Sequence, residues 1–232
     1  MTTIALISAG MSEHSSTSRL GEAIAHHLRD LAGPDADLDL PRVELRPLAH
    51  GIADAMTTGF ASGALAEALG TVARADAVIA LTPTYQSSYS GLFKSFIDVF
   101  EDGTLAGKPV LIGATGGTPR HALVTEVALR PLFTYLHADP VPTAIYAATE
   151  DWGARADDSD GDGGSSLRRR IRRAAGELLD RLGMSGGTTR PADTAEPPTE
   201  AVPPSSTPGE RHSATEDYPR FVDFETLLDG VR

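Results

Sequence analysis

Apolar residues gather in four short, uninterrupted runs, Thr3–Ser8, Ala77–Thr82, Pro109–Ala114 and Thr143–Ala148. Runs of this kind belong to strands covered on both faces, and they fall far short of the ~20 residues that cross a bilayer. Between them the apolar positions take a helical period over Ser18–Leu31, Gly63–Ala75, Leu92–Phe100, Ala122–Leu136 and Leu167–Leu182. Strands alternating with helices predict a parallel sheet joined by right-handed crossovers. A weaker strand near Val43–Leu45 lies beside Pro41, whose missing N–H is harmless at a sheet edge. The pattern predicts an α/β three-layer sandwich with a five-stranded parallel sheet in the order 2-1-3-4-5.

Past Gly183 the periodicity stops. Prolines scattered among Ser, Thr, Gly and Glu mark residues 184–216 as a disordered linker. The closing segment 217–232 holds an apolar cluster, Phe221–Leu228, that either frays or docks on a surface. Residues 1–183 are left as one domain, in keeping with 232 residues of 41% hydrophobic composition. Within it, Leu92, Phe93, Phe96, Ile97, Val99 and Phe100 leave their helix little polar surface, which predicts a core on one side and a second subunit on the other.

A net charge of −12 with only 20 Lys and Arg argues against nucleic acid as a partner, because phosphate-backbone binding rests on clustered cations. The absence of Cys removes disulfides, thiolate metal sites and a Cys nucleophile, so redox chemistry needs a borrowed cofactor. With no basic leader and no membrane-length apolar run, the chain reads as soluble and cytoplasmic. Asp158–Gly163 imitates half of a calcium loop, but Arg169 stands where a bidentate carboxylate is needed, and no metal site is expected.

Candidate chemistry concentrates just beyond the strands. After the first, Ser8, Ser12, Ser15, Ser16 and Thr17 crowd the approach to a helix N-terminus, where N–H groups and the helix dipole suit a phosphate; Ser and Thr are equally good caps. Neither G-x-G-x-x-G nor a Walker pattern occurs, which favours a monophosphate over a dinucleotide or triphosphate. The run from Thr82 through Pro83, Thr84, Tyr85 and Gln86 leaves the second apolar strand as a polar loop. Thr115, Gly116, Gly117 and Thr118 follow the third, with glycines that either admit a ligand to the backbone or simply make a turn. Tyr85 and Tyr89 could stack on an aromatic ligand or at a subunit contact, and His121 could meet a ligand or cap its own turn. Loops at these places converge at the switch point of the sheet, where FMN sits in flavodoxin-like folds.

The blocks Ser8-Ala9-Gly10-Met11-Ser12, Thr82-Pro83-Thr84-Tyr85, Ser88-Tyr89-Ser90-Gly91-Leu92-Phe93-Lys94, Ala114-Thr115-Gly116-Gly117-Thr118 and Ala128-Leu129-Arg130-Pro131 resemble the NAD(P)H-dependent FMN reductases, and most of all the branch that partners luciferase-like flavin monooxygenases. The resemblance implies a flavodoxin-like fold, FMN with NADPH or NADH as hydride donor, a homodimer or homotetramer, and a monooxygenase that accepts reduced flavin. Carried over, Ser8, Ser12, Ser15, Ser16 and Thr17 surround the FMN phosphate. Pro83, Thr84, Tyr85 and Gln86 border the ring on one side, and Thr115, Gly116, Gly117 and Thr118 on the other. Lys94 falls near the dimer contact. Two positions depart from the pattern: Ser12 stands where many relatives carry Arg, leaving Arg19 or a neighbouring subunit to supply the charge, and Val127 stands where alkanesulfonate-linked relatives insert an aromatic residue. Hydride passes between stacked rings, so no catalytic side chain is expected. The alternatives are a non-enzymatic flavodoxin-like electron carrier and a quinone or azo-dye reductase that retains its FMN.

Overall fold

A computed structural model describes residues 1–12, 14–152 and 166–184. Apart from Met184, the linker and closing segment expected over 184–232 lie outside the described residues, as does most of the acidic stretch around Asp158–Gly163.

The strands are β1 (Thr2–Ser8), β2 (Leu38–Asp39), β3 (Arg42–Glu44), β4 (Ala77–Tyr85), β5 (Ser88–Tyr89), β6 (Pro109–Gly116), β7 (Asp139–Pro140) and β8 (Ile145–Ala148). The helices are α1 (Ser16–Ala32), α2 (Ala49–Thr58), α3 (Gly63–Arg74), α4 (Gly91–Asp98), α5 (Arg130–Tyr135) and α6 (Ser166–Arg181). The expected five strands in the order 2-1-3-4-5 are thus corrected to an eight-stranded sheet. Its path runs β2-β1-β4-β6-β7, with β3 also on β1, β8 also on β6 and β5 on β4. All pairings are parallel except β4 with β5.

Proline accounts for much of the difference. Pro41 parts β2 from β3, and Pro142 parts β7 from β8, because each lacks the N–H that would continue a ladder. The eighth strand, β5, comes from a hairpin at the end of β4.

Side chains alternate across the sheet as a strand's period of two requires. Ala5, Ile7, Val78, Ala80, Val110, Ile112 and Ala114 face a cluster built with α2, α3, α4 and α5. Ile4, Leu6, Ala77, Ile79, Leu81 and Leu111 face a second cluster built with α1 and α6. Both sets are buried, which is why the central strands read as continuous apolar runs.

Two helical expectations change. α2 lay in no sequence signal, since only Ile52 and Ala55 of its residues are buried and its apolar stripe is thin. The single helix expected over Ala122–Leu136 is instead a 3-10 turn at Pro119–His121, a π turn at Thr125–Leu129 and then α5. Pro131 has no N–H for the Val127 carbonyl, and just upstream Arg130 N–H donates to the Thr125 carbonyl.

Candidate functional site

The strand ends carry the chemistry because β1, β4 and β6 run parallel and stop on one side of the molecule. β1 opens into Ala9–Ser15, and Ser15 caps α1, its Oγ accepting from Ser18 N–H at 3.0 Å. The Ser15 and Ser18 hydroxyls share a bond of 2.9 Å, and Ser18 Oγ lies 3.4 Å from Ser8 Oγ. Ser8 and Thr17 are buried, whereas Ser12 and Ser16 are exposed and Ser15 is half-buried. The five hydroxyl residues therefore split into a buried base and an accessible rim at the positive end of α1.

β4 outruns its neighbours. Its last parallel pair is Pro83 with Thr115, and beyond it Thr84 and Tyr85 pair backwards with Tyr89 and Ser88. The turn between them places Gln86 and Ser87 at φ 49° and 62°, a left-handed backbone that a two-residue hairpin demands but that Gly or Asn adopts more easily. Beneath the hairpin, Thr82 Oγ1 accepts from Ser90 N–H at 3.0 Å, and Ser90 caps α4 by accepting from Phe93 N–H at 3.2 Å. Tyr89 turns inward against Phe93, its ring centroid 6.1 Å away, so only Tyr85 of the two tyrosines projects, half exposed.

The third loop leaves β6 at Thr115. That residue is buried, and its Oγ1 bonds Thr17 Oγ1 at 2.9 Å, tying the start of α1 to the end of β6. Gly117, Thr118 and His121 are exposed. The two glycines have different reasons to be glycine. A Cβ on Gly117 would meet nothing within 4 Å, whereas one on Gly116 would lie 2.1 Å from the hydroxyl of Tyr146. Gly116 thus makes room for a neighbouring side chain, and Gly117 leaves the backbone open to a ligand.

Tyr146 was not singled out in the sequence. It is buried on β8, and its hydroxyl donates to the Thr118 carbonyl at 2.8 Å. Burial pushes its phenol up from the ordinary value, so it remains a donor through neutral pH. The Thr84 hydroxyl is close enough to temper that rise but lies outside hydrogen-bonding geometry, and it is buried without a partner. A further tie crosses the site where the Arg19 guanidinium stands 4.6 Å from the centroid of the Trp152 ring.

The structure therefore links Ser8 and Ser15 through Ser18, ties Thr17 to Thr115, and sets Pro83 and Thr84 beside Thr115 and Gly116. Tyr85 and Gln86 reach outward on the hairpin, and Ser12 and Ser16 stand on the rim. Apart from Glu13, the loops after β1, β4 and β6 carry no carboxylate. No group of three His, Asp or Glu able to hold a metal occurs among the described residues. These groups fit a flavin: free hydroxyls at a helix N-terminus for a phosphate, an orphan Thr84 hydroxyl, and exposed backbone at Gly117 for a ring edge. Two surface grooves, of about 530 and about 400 Å³, lie elsewhere, around Phe100 between the ends of α2, α4 and α5, and share no residue with the site.

Comparison with known proteins agrees with this geometry. Residues 2–153 match the family model of NADPH-dependent FMN reductase. The chain is 32% identical over 180 residues to the NADH-dependent FMN reductase SfnE of Pseudomonas putida, covering 78% of this chain and 92% of that one. It is 33% identical over 149 residues to an FMN reductase (NADPH) of Pseudomonas aeruginosa, covering 64% and 78%. Among solved structures, an oxidoreductase from Corynebacterium diphtheriae superposes with a TM-score of 0.72 at 37% identity, covering 80% of this chain and 99% of the other. The fold is flavodoxin-like, and the chain belongs to the NADPH-dependent FMN reductase family as an NAD(P)H:FMN oxidoreductase.

Proposed function

We propose that this reductase supplies reduced FMN to a separate luciferase-like flavin monooxygenase rather than keeping its flavin. The observation that carries this reading is the exposure of the rim: Tyr85, Gln86, Ser87, Gly117 and Thr118 all stand open to solvent. A ring bordered by such loops can leave without the core opening.

In this reading Ser12, Ser15 and Ser16 hold the FMN phosphate at the N-terminus of α1, with Ser8 and Thr17 shaping the base from below and Arg19 adding positive charge. Pro83, Thr84, Tyr85 and Gln86 border one side of the ring, and Thr115, Gly116, Gly117 and Thr118 the other. FMN, when bound, accepts the hydride of NADH or NADPH. The protein contributes orientation and hydrogen-bond donors. No side chain here moves a proton. The enzyme works in the cytoplasm as a homodimer or homotetramer, a state favoured by the exposed apolar residues Met56, Phe60, Leu123, Val127 and Tyr135. Residues 1–183 hold the activity.

Steady-state assays of purified protein with NADH and NADPH, comparing FMN and FAD, test the reading. Turnover of added FMN by protein that purifies colourless is the expected result. Failure with both nicotinamides at saturating FMN defeats it. Flavin retained throughout turnover would assign the chain to the quinone or azo-dye reductases instead.

A further inference from the structure

We infer that Tyr146 is a positioning residue for the flavin: its hydroxyl fixes the turn Gly116–Thr118 and so aims the backbone groups that this turn offers to the ring. The inference rests on the flavin site proposed above and adds a residue from a strand that site did not include.

Three observations meet at one atom. Tyr146 pairs with Ala114 across β6 and β8, so its side chain shares a sheet face with Ala114 and, two residues on, Gly116. The phenol leans diagonally over Gly116, filling the space its missing Cβ leaves, in the way aromatic side chains cover strand glycines elsewhere. From there Tyr146 Oη donates to the Thr118 carbonyl at 2.8 Å. On the other side of Gly116 stands Thr84, whose Cβ would lie 3.7 Å from a Gly116 Cβ and whose buried hydroxyl has no partner among the described residues. One phenol therefore sits beneath the meeting point of the β4 and β6 loops. A tyrosine serving the core alone would need no bond to an exposed turn. This one spends its hydroxyl on Thr118, the exposed end of the loop that flanks Gly117.

Three variants test this: Tyr146→Phe, which removes one oxygen and keeps the packing, Gly116→Ala, and the two together. FMN affinity is read by quenching of flavin fluorescence, and amide exchange is read in the flavin-free protein. Tyr146→Phe is expected to weaken FMN binding about fivefold, the loss of one hydrogen bond, and to speed exchange over Gly116–His121 while leaving α6 unchanged. Gly116→Ala drives a Cβ into the hydroxyl, and its effect on FMN affinity is expected to shrink when Tyr146→Phe removes that hydroxyl. The inference is overturned by unchanged exchange in the turn, by exchange that rises equally throughout the chain, by FMN affinity that Tyr146→Phe does not alter, or by strictly additive variants. Should the wild-type protein bind no FMN, the flavin site itself fails and the inference falls with it.

Discussion

The two faces of the sheet are finished to different degrees. One is covered by α1 and α6, long amphipathic helices whose Leu20, Ile24, Leu28, Ala174 and Leu178 are fully buried. Apart from Arg29 and other polar residues, little of α1 faces outward. The opposite face is assembled from α2, α3, α4, a π turn and α5, and it leaves Met56, Phe60, Leu123, Val127 and Tyr135 each more than half exposed. Both surface grooves lie there too. The contrast shows that covering a sheet and completing a surface are separate tasks. The second layer has a true core, since Phe93 packs edge-on against Phe133 with centroids 6.3 Å apart and both are wholly buried. Its outer side is the part that suits another protein surface.

If the irregular layer is a core despite its short helices, Phe93→Ala should cost about 3–5 kcal/mol, comparable to the roughly 2–5 kcal/mol expected for Leu28→Ala on the regular face. Urea unfolding at fixed protein concentration measures both, and a loss below about 1 kcal/mol at Phe93 would erase the claim that this layer is well packed. The outer side is tested next. Replacing Leu123 and Val127 together by Ser should shift the protein toward smaller species in sedimentation while changing the stability of the monomer by no more than about 0.5 kcal/mol. Arg29→Ser on α1 is the matched control and should leave sedimentation alone. The smallest effect concerns His27 on α1. Burial holds its imidazole below the ordinary value, so the folded state resists a proton that the unfolded state accepts. Stability should fall as pH drops below about 6.5 and level off once the pH passes the lower folded value. His27→Gln should flatten that small acid limb of a thermal-melt profile, and an unchanged limb would mean that α1 is less closed around His27 than it looks.

The regular layer was also the more legible one. α1 announces itself by period and capping, α6 by period, and β1, β4 and β6 by continuous apolar runs, because double-sided burial selects the same residue types at every position. The irregular layer hid its details where local sequence is ambiguous. Gly51 and the threonines of α2 blur its stripe, and the π turn depends on Pro131, a residue that equally marks a helix start. At the site, the hydroxyl cluster before α1 and the Thr115–Thr118 loop were visible in the chain itself. The hairpin was not, since Gln86 and Ser87 are poor advertisements for a left-handed turn. Nor was Tyr146, because its partner glycine lies thirty residues away in sequence and only strand register brings them together.

Prolines that shorten the outer strands have an effect beyond topology. β2, β3, β7 and β8 are pieces of two to four residues, so among the described residues neither border of the sheet offers a long row of free N–H and C=O groups for another chain to zip onto. Copies of this protein are thereby denied the cheapest route to runaway β-addition and fibre growth. Any association is left to side-chain fit between helices, which can close on itself at a small number of subunits.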